Sequence, residues 1–275
     1  MVFVYTEWER FCKSLADNNI HSIPAMSVNK STEKYLVLKH DVETDVSKAL
    51  VLARIENKYG HKGSFYVQAY LLDNERNVSM LREIQEMGHE VSYHHDVMDS
   101  CGGDLELAAK EFEKNRNKFA DNGFDIITVC QHGNPIINRI GYTSNRDFFR
   151  SDSVRQQYPF ISDIMVNFKE LRQTEYAYYS DAGHHFKLIY DPLNNDIVDS
   201  DDKNIPYKGL DALFEVLSDG NCIISTHPHR WMKSRVLYVL RVAFFKIVKK
   251  TVKLVSKIPF IKKILSRYYY LAKKI

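Results

Sequence analysis

The 275-residue chain is 44% hydrophobic and 27% charged, a balance that supports one or two globular domains with a real core and excludes a disordered, collagenous or disulfide-scaffold protein. Its net charge of +3 hides an asymmetry: residues 230–275 hold 14 Lys and Arg with no Asp or Glu, leaving 24 basic against 35 acidic residues, a net −11, in residues 1–229. A basic tail on an acidic body gives the two parts different partners, with an anionic surface suited to the tail. Cys12, Cys101, Cys130 and Cys222 are scattered without a C-x-x-C pair and read as reduced thiols. The N-terminus lacks a basic-then-apolar leader, and no stretch reaches the ~18 uninterrupted apolar residues of a membrane span, so a cytoplasmic location is expected.

In chain order, Tyr35-Leu-Val-Leu-Lys39 is an apolar run that ends in His40-Asp41, followed by a helical pattern through Ala49, Leu50, Ala53 and Ile55 up to Tyr59-Gly60. This spacing predicts strand, turn, helix. Ser64–Val67 is the next strand, Val78–Met87 a helix closed by Gly88, and His89–Tyr93 a strand ending at His94-His95. A charged helix is predicted over 104–119, a strand over 125–129 running into Gln131-His132-Gly133, a helix over 210–217, and a last strand over 222–225 ending at Thr226-His227-Pro228. Repeated β-then-α units predict a parallel sheet, open or closed into a barrel. Between Pro135 and Pro206 the pattern dissolves into aromatic, polar and turn-rich sequence, read as a loop-rich insertion at the mouth of the sheet.

Four predicted strands end in the same chemistry: His40-Asp41-Val42-Glu43, His94-His95-Asp96, His132 and His227. The carboxyl ends of parallel strands converge on one site, so residues remote in sequence share a pocket. A carboxylate with imidazoles suits Zn²⁺ or another divalent transition metal. A nearby carboxylate base and a separate His acid complete a hydrolase. Asp41 and Glu43 point the same way in extended chain while Val42 packs behind. Read singly, Asp41 and Glu43 are also a strand-end pair and first-turn acid of a helix that Thr44 or an Asp caps.

Together the segments Lys39–Glu43, Gly88–His94, Gln131–Pro135 and Thr226–Trp231 resemble the polysaccharide deacetylase superfamily, carbohydrate esterase family four with the NodB-homology fold. They are most similar to its branch reading H-D-V-D, G-H-E-I-G-Y-H, M-H-G-x-P and T-H-P-x-x-W, over Tyr35 to Trp231. The resemblance implies an α/β fold, a distorted (β/α) barrel, and metal-dependent removal of an N- or O-acetyl group from a sugar; with the basic tail it points to surface polysaccharide or glycolipid biosynthesis. It implies Asp41 as general base, Glu43 as acidic metal ligand, His94 as histidine ligand and His227 as general acid. His132 lies near the motif where better-studied members place an Arg that orients the base, and a ligand or orienting role is inferred for it. Zn²⁺ is the expected metal, with Co²⁺ or Ni²⁺ as alternatives.

Two positions depart from the family pattern: Glu43 stands for the usual Asp, and Met98 where a second ligand His is expected, four residues after His94. His95, Asp96 or His132 must then complete the metal shell. Alternation along a strand sends His94 and His95 to opposite faces, which favours His132. His40, His95, Asn134 and Trp231 are assigned to substrate binding, Trp231 as a sugar-stacking platform or a buried anchor for the tail. His184-His185, after Asp181-Ala182-Gly183, read as substrate-loop residues, and His61 and His89, beside glycines, as surface residues.

Residues 1–232 are read as the barrel domain and 233–275 as a basic amphipathic helical tail. Lys246, Lys249, Lys250, Lys253 and Lys257 recur at helical spacing among Phe244, Phe245, Ile247, Val248, Val252, Leu254, Val255 and Ile258; after Pro259 the pattern repeats with Lys262, Lys263, Arg267 and Tyr268–Tyr270. Such a segment suits the interface of an anionic bilayer on the cytoplasmic side; a helical pair packed on the barrel with a solvated basic face is the alternative. The substrate is then a saccharide or lipid-linked saccharide. No nucleic-acid motif accompanies the tail, and no obligate protein partner is evident. A non-catalytic barrel that binds a saccharide or partner enzyme, and a hydrolase of another, cyclic amide, are the alternative functions.

Overall fold

The computed structural model describes residues 3–134, 137–181, 187–189 (backbone), 214, 217 and 220–244. Helix α1 (Tyr5–Asp17) precedes strand β1 (Leu36–Val42), and the chain then alternates through α2 (Val46–Lys58), β2 (Gly63–Val67), α3 (Glu75–Glu86) and β3 (Glu90–His95). It continues through α4 (Val97–Ser100), α5 (Leu105–Asp121), β4 (Thr128–Gln131), α6 (Asp147–Arg150), α7 (Asp152–Gln157), β5 (Ser162–Asp163), α8 (Phe168–Arg172), β6 (Ala177–Ser180), β7 (Lys187–Ile189) and β8 (Cys222–Thr226). The sheet order is β5-β4-β3-β2-β1-β8-β6-β7, and every neighbouring pair is parallel except β6 with β7. Seven parallel strands curl into a half-barrel surrounded by helices, a distorted (β/α) barrel as expected from the sequence.

Local sequence explains the elements. Asp45 caps α2 by accepting from the Ser47 and Lys48 amides, and its apolar face buries Val46, Ala49, Leu50, Leu52 and Ala53. Gly60, at φ +76°, ends the turn after α2 in a conformation that glycine adopts without penalty. The convex face of the sheet packs Val42, Phe65, Val67, Val91, Tyr93 and Val129 against α2, α3 and α5, and Leu36, Leu38, Cys222 and Ile224 against α1. The concave face carries a smaller cluster with Val37, Tyr66, Cys130, Tyr178 and Ile223.

The turn-rich stretch 135–206 is more ordered in its first part than its composition predicts. Short helices α6, α7 and α8 and strands β5 and β6 occupy it. Segments of two to six residues are too short to show a period. In β6, Tyr178 enters the concave cluster and Tyr179 the convex one, a strand buried on both faces. The predicted helix over 210–217 lies outside the described residues, apart from Phe214 and Leu217, which pack beside α1 residues.

His61 and His89 are buried, not surface residues. His61 Nε2 lies 2.8 Å from the Cys12 carbonyl, and His89 Nδ1 accepts from the Gly63 amide at 2.8 Å. Both rings satisfy backbone groups at the helix-to-strand turns. The tail is described as far as residue 244. Helix 235–244 buries Tyr238 against Phe3 and exposes Val236, Leu237, Val239, Leu240 and Phe244. Among the described residues no helix is long and apolar enough to cross a membrane.

Gly63 shows how tightly β2 is seated: a Cβ there would lie 2.8 Å from both the Leu38 carbonyl and Glu56 Oε2. Gly63→Ala is expected to cost about 1–3 kcal/mol in urea-induced unfolding; a change below about 0.5 kcal/mol would contradict this packing.

Candidate active site and metal centre

The parallel register brings the ends of β1, β3, β4 and β8 to one edge, with Asp41 beside Tyr66, His94 beside Cys130 and His40 beside Thr226. Alternation places Lys39, Asp41, His94 and Cys130 on the concave face, and Glu43 follows just beyond β1. Val42 is buried on the convex side, as alternation predicts.

Glu43, His94 and His132 each offer a ligand atom within 4.8 Å of the others. The His94 Nδ1 lies 3.0 Å from the Cys130 carbonyl. A carbonyl only accepts, so Nδ1 carries the proton and Nε2 presents its lone pair. Burial pushes the His94 imidazole down to about 3 against the opposing effect of Asp41, leaving it neutral at physiological pH, the form that binds a cation. Burial raises the Glu43 carboxyl, but the bond from His132 and the charge of His227 bring it well below the usual range. One carboxylate and two imidazoles fit a three-ligand transition-metal site. Asp41, His94 and Cys130 form a second, deeper donor set that shares His94.

Asp41 adjoins this triad at His94. Lys39 Nζ donates to both its oxygens at 2.6 Å, and His227 Nε2 lies 3.8 Å from Oδ2. Burial raises the Asp41 carboxyl, yet Lys39, His94 and His227 bring it below its ordinary value. His227 Nε2 is also 3.8 Å from Glu43, so the proposed acid, base and ligand carboxylate meet at one point.

The residue that holds His227 was not singled out as functional from sequence. Asp181 is fully buried at the end of β6. Its Oδ1 lies 2.6 Å from His227 Nδ1, and its Oδ2 accepts from the His227 amide at 2.9 Å and the Thr226 hydroxyl at 2.8 Å. Arg230 Nη1 donates to the Asp181 carbonyl and to Oδ1. Burial raises this carboxyl, but Arg230 and His227 hold it far below the usual carboxylate range. The sequence signal for Asp181 is an acid directly after a parallel strand, hidden by the aromatic, turn-like composition of β6.

Three residues assigned to substrate binding lie elsewhere. His40 is buried on the convex face, 2.8 Å from Glu56 of α2 and stacked on Phe65, because alternation turns it away from Asp41. His95 faces outward for the same reason, 2.8 Å from Asp163 among Phe112, Phe148 and Phe149. Trp231 is buried against Phe3 and Trp8, and its Nε1 donates to the Thr226 hydroxyl at 2.8 Å, so it anchors the core and cannot stack on a sugar. Asn134 is half-buried, and its carbonyl accepts from Arg139. Met98 packs in the convex core, and Asp96 stands outside the ligand sets found among the described residues. His184 and His185 lie outside the described residues.

Fold and site together define a parallel α/β half-barrel with a carboxylate–histidine centre at its strand ends. No family model and no curated protein matches the chain. Among solved structures, it is similar to the catalytic domain of peptidoglycan N-acetylglucosamine deacetylase from Eubacterium rectale, at 13% identity and TM-score 0.45 over 81% of this chain and 88% of that one. Peptidoglycan deacetylase PdaC from Bacillus subtilis matches at 12% identity and TM-score 0.36 over 81% and 98%. The Bdellovibrio bacteriovorus peptidoglycan deacetylase Bd3279 matches at 12% and 0.35 over 84% and 56%.

Asp181 carries a pH prediction. Its folded-state pKa lies below the ~3.9 of an unfolded Asp, so its stabilisation is present above that value and is lost as the pH falls towards the folded pKa. Asp181→Asn should cost about 3 kcal/mol at neutral pH, with the gap to the wild type narrowing below about pH 4 in unfolding measurements. A pH-independent gap would remove the ionised carboxylate from the account.

Proposed function

We propose that the protein is a metal-dependent carbohydrate deacetylase. The observation that carries this reading is the convergence of Glu43, His94 and His132 within 4.8 Å, with Asp41 and His227 beside them. The four motifs that resemble the polysaccharide deacetylase superfamily support it. Glu43, His94 and His132 would hold the cation, with Zn²⁺ favoured by a nitrogen-rich set and Co²⁺ or Ni²⁺ as alternatives. A bound cation supplies Lewis acidity at the acetyl carbonyl and the attacking water. Asp41 takes the proton of the water. His227, with Nδ1 fixed by Asp181, turns Nε2 to the leaving nitrogen or oxygen and protonates it. Acetate and the free amine or alcohol are the products.

Location at a membrane is part of the proposal. Its support is the tail: residues 245–275 contain ten Lys and Arg and no acid, and helix 235–244, which leads into them, exposes Val236, Val239 and Leu240. A cytoplasmic, membrane-peripheral enzyme has a lipid-linked saccharide within reach.

Elemental analysis of protein purified without chelator should find about one transition metal per chain, lost in both His94→Ala and His132→Ala. Asp41→Asn should retain metal and lose at least ~100-fold in acetate release from an acetylated oligosaccharide. A wild-type chain that stays empty when supplied with Zn²⁺, Co²⁺ or Ni²⁺ would end the reading. For the tail, the full chain should sediment with phosphatidylserine-containing vesicles and a chain ending at Phe244 should not; equal sedimentation would dismiss the membrane role.

A further inference from the structure

Lys39 is a cation inside the barrel, only 1% exposed, on the strand that carries the proposed base. An ammonium has three N–H donors. Here Nζ reaches Asp41 Oδ1 and Oδ2 at 2.6 Å each and Ser225 Oγ at 3.2 Å, which uses the full set. The rings of Tyr66 and Tyr178 face the same ammonium at 5.6 and 6.0 Å, and Ser225 Oγ is 3.5 Å from Asp41 Oδ2. Lys39 and Asp41 are two residues apart on β1, so the pleat itself aligns their side chains.

A buried charge costs several kcal/mol unless it is paired. Contact with both oxygens fixes the plane of the Asp41 carboxylate and stops its rotation, while Ser225 and the two rings stop the ammonium from following any movement. Oδ2 is thereby kept facing His227 Nε2 at 3.8 Å, next to the Glu43, His94 and His132 set.

We propose that Lys39 is the positioning residue of the active site, a same-strand clamp that orients Asp41 for proton abstraction. This rests on the deacetylase reading, in which Asp41 is the base. His132, which falls where a base-orienting residue was expected, stands with the ligand set instead, and Lys39 supplies the cation from within β1. In this role Lys39 acts through Asp41, whose two oxygens it holds.

The test compares Lys39→Met, Asp41→Asn and the double variant with the wild type, all loaded with Zn²⁺. The probe is an acetylated N-acetylglucosamine oligomer, with metal content, kcat, KM and the urea midpoint as readouts. Lys39→Met should keep its metal and a KM within about threefold while kcat falls at least ~30-fold, and it should cause no further loss in the Asp41→Asn background. Metal-loaded Lys39→Met with kcat within about threefold of wild type overturns the proposal, and so does a further loss of kcat in the double variant. If the wild type releases no acetate, the deacetylase reading fails, and unfolding then decides the clamp. A double variant more stable than Lys39→Met, because no unpaired carboxylate remains buried, supports the coupling. Additive changes in the midpoint overturn it.

Discussion

The two-residue period of a β-strand is the constraint on which this site depends. Along β1 it sends Lys39 and Asp41 into the concave interior and His40 and Val42 to the helices. The same strand therefore carries polar pairs on both faces: the Lys39–Asp41 ion pair within, and His40 beside Glu56 under α2. A shift of register by one residue would exchange them and dismantle the site and the outer packing together. Parallel pairing then repeats the selection on β3, keeping His94 and rejecting His95.

Burying this much polarity is tolerated where charged and polar groups answer one another. Glu56 illustrates it. Burial raises its carboxyl, yet His40, His89 and the Trp8 indole bring it below its ordinary value. Asp181 answers to Arg230, His227 and Thr226, and Thr226 in turn receives the Trp231 indole. A hydrogen-bonded line thus runs from the tryptophan core to the imidazole of the proposed acid.

Much of the barrel was legible because long βα units announce themselves: α2, α3 and α5 and strands β1 to β3 and β8 fall where apolar period and strand-end chemistry put them, while β4 begins at Thr128, three residues later than the 125–129 pattern places it. The convergence of Asp41, Glu43, His94, His132 and His227 followed from parallel topology alone. What stayed hidden depended on short or doubly buried segments. β6 reads as an aromatic-rich turn, so Asp181 reads as part of a loop and not as a strand-end acid. His40, His95 and Trp231 look functional because they adjoin the motifs, yet adjacency along a strand means opposite faces, and Trp231 satisfies its indole within the core. Lys39 read as the end of an apolar run, although a lysine in phase with Asp41 has nowhere to go but inward.

The carbonyl of His229 receives two cations, Lys48 from α2 at 2.9 Å and Arg241 from helix 235–244 at 2.7 Å. His229 is two residues from His227, on the turn that also carries Arg230 to Asp181. The start of the tail is therefore stitched to the loop that bears the proposed acid. With Arg230 gripping Asp181 from the same turn, four residues from three parts of the chain converge on the few atoms of backbone that aim the His227 imidazole.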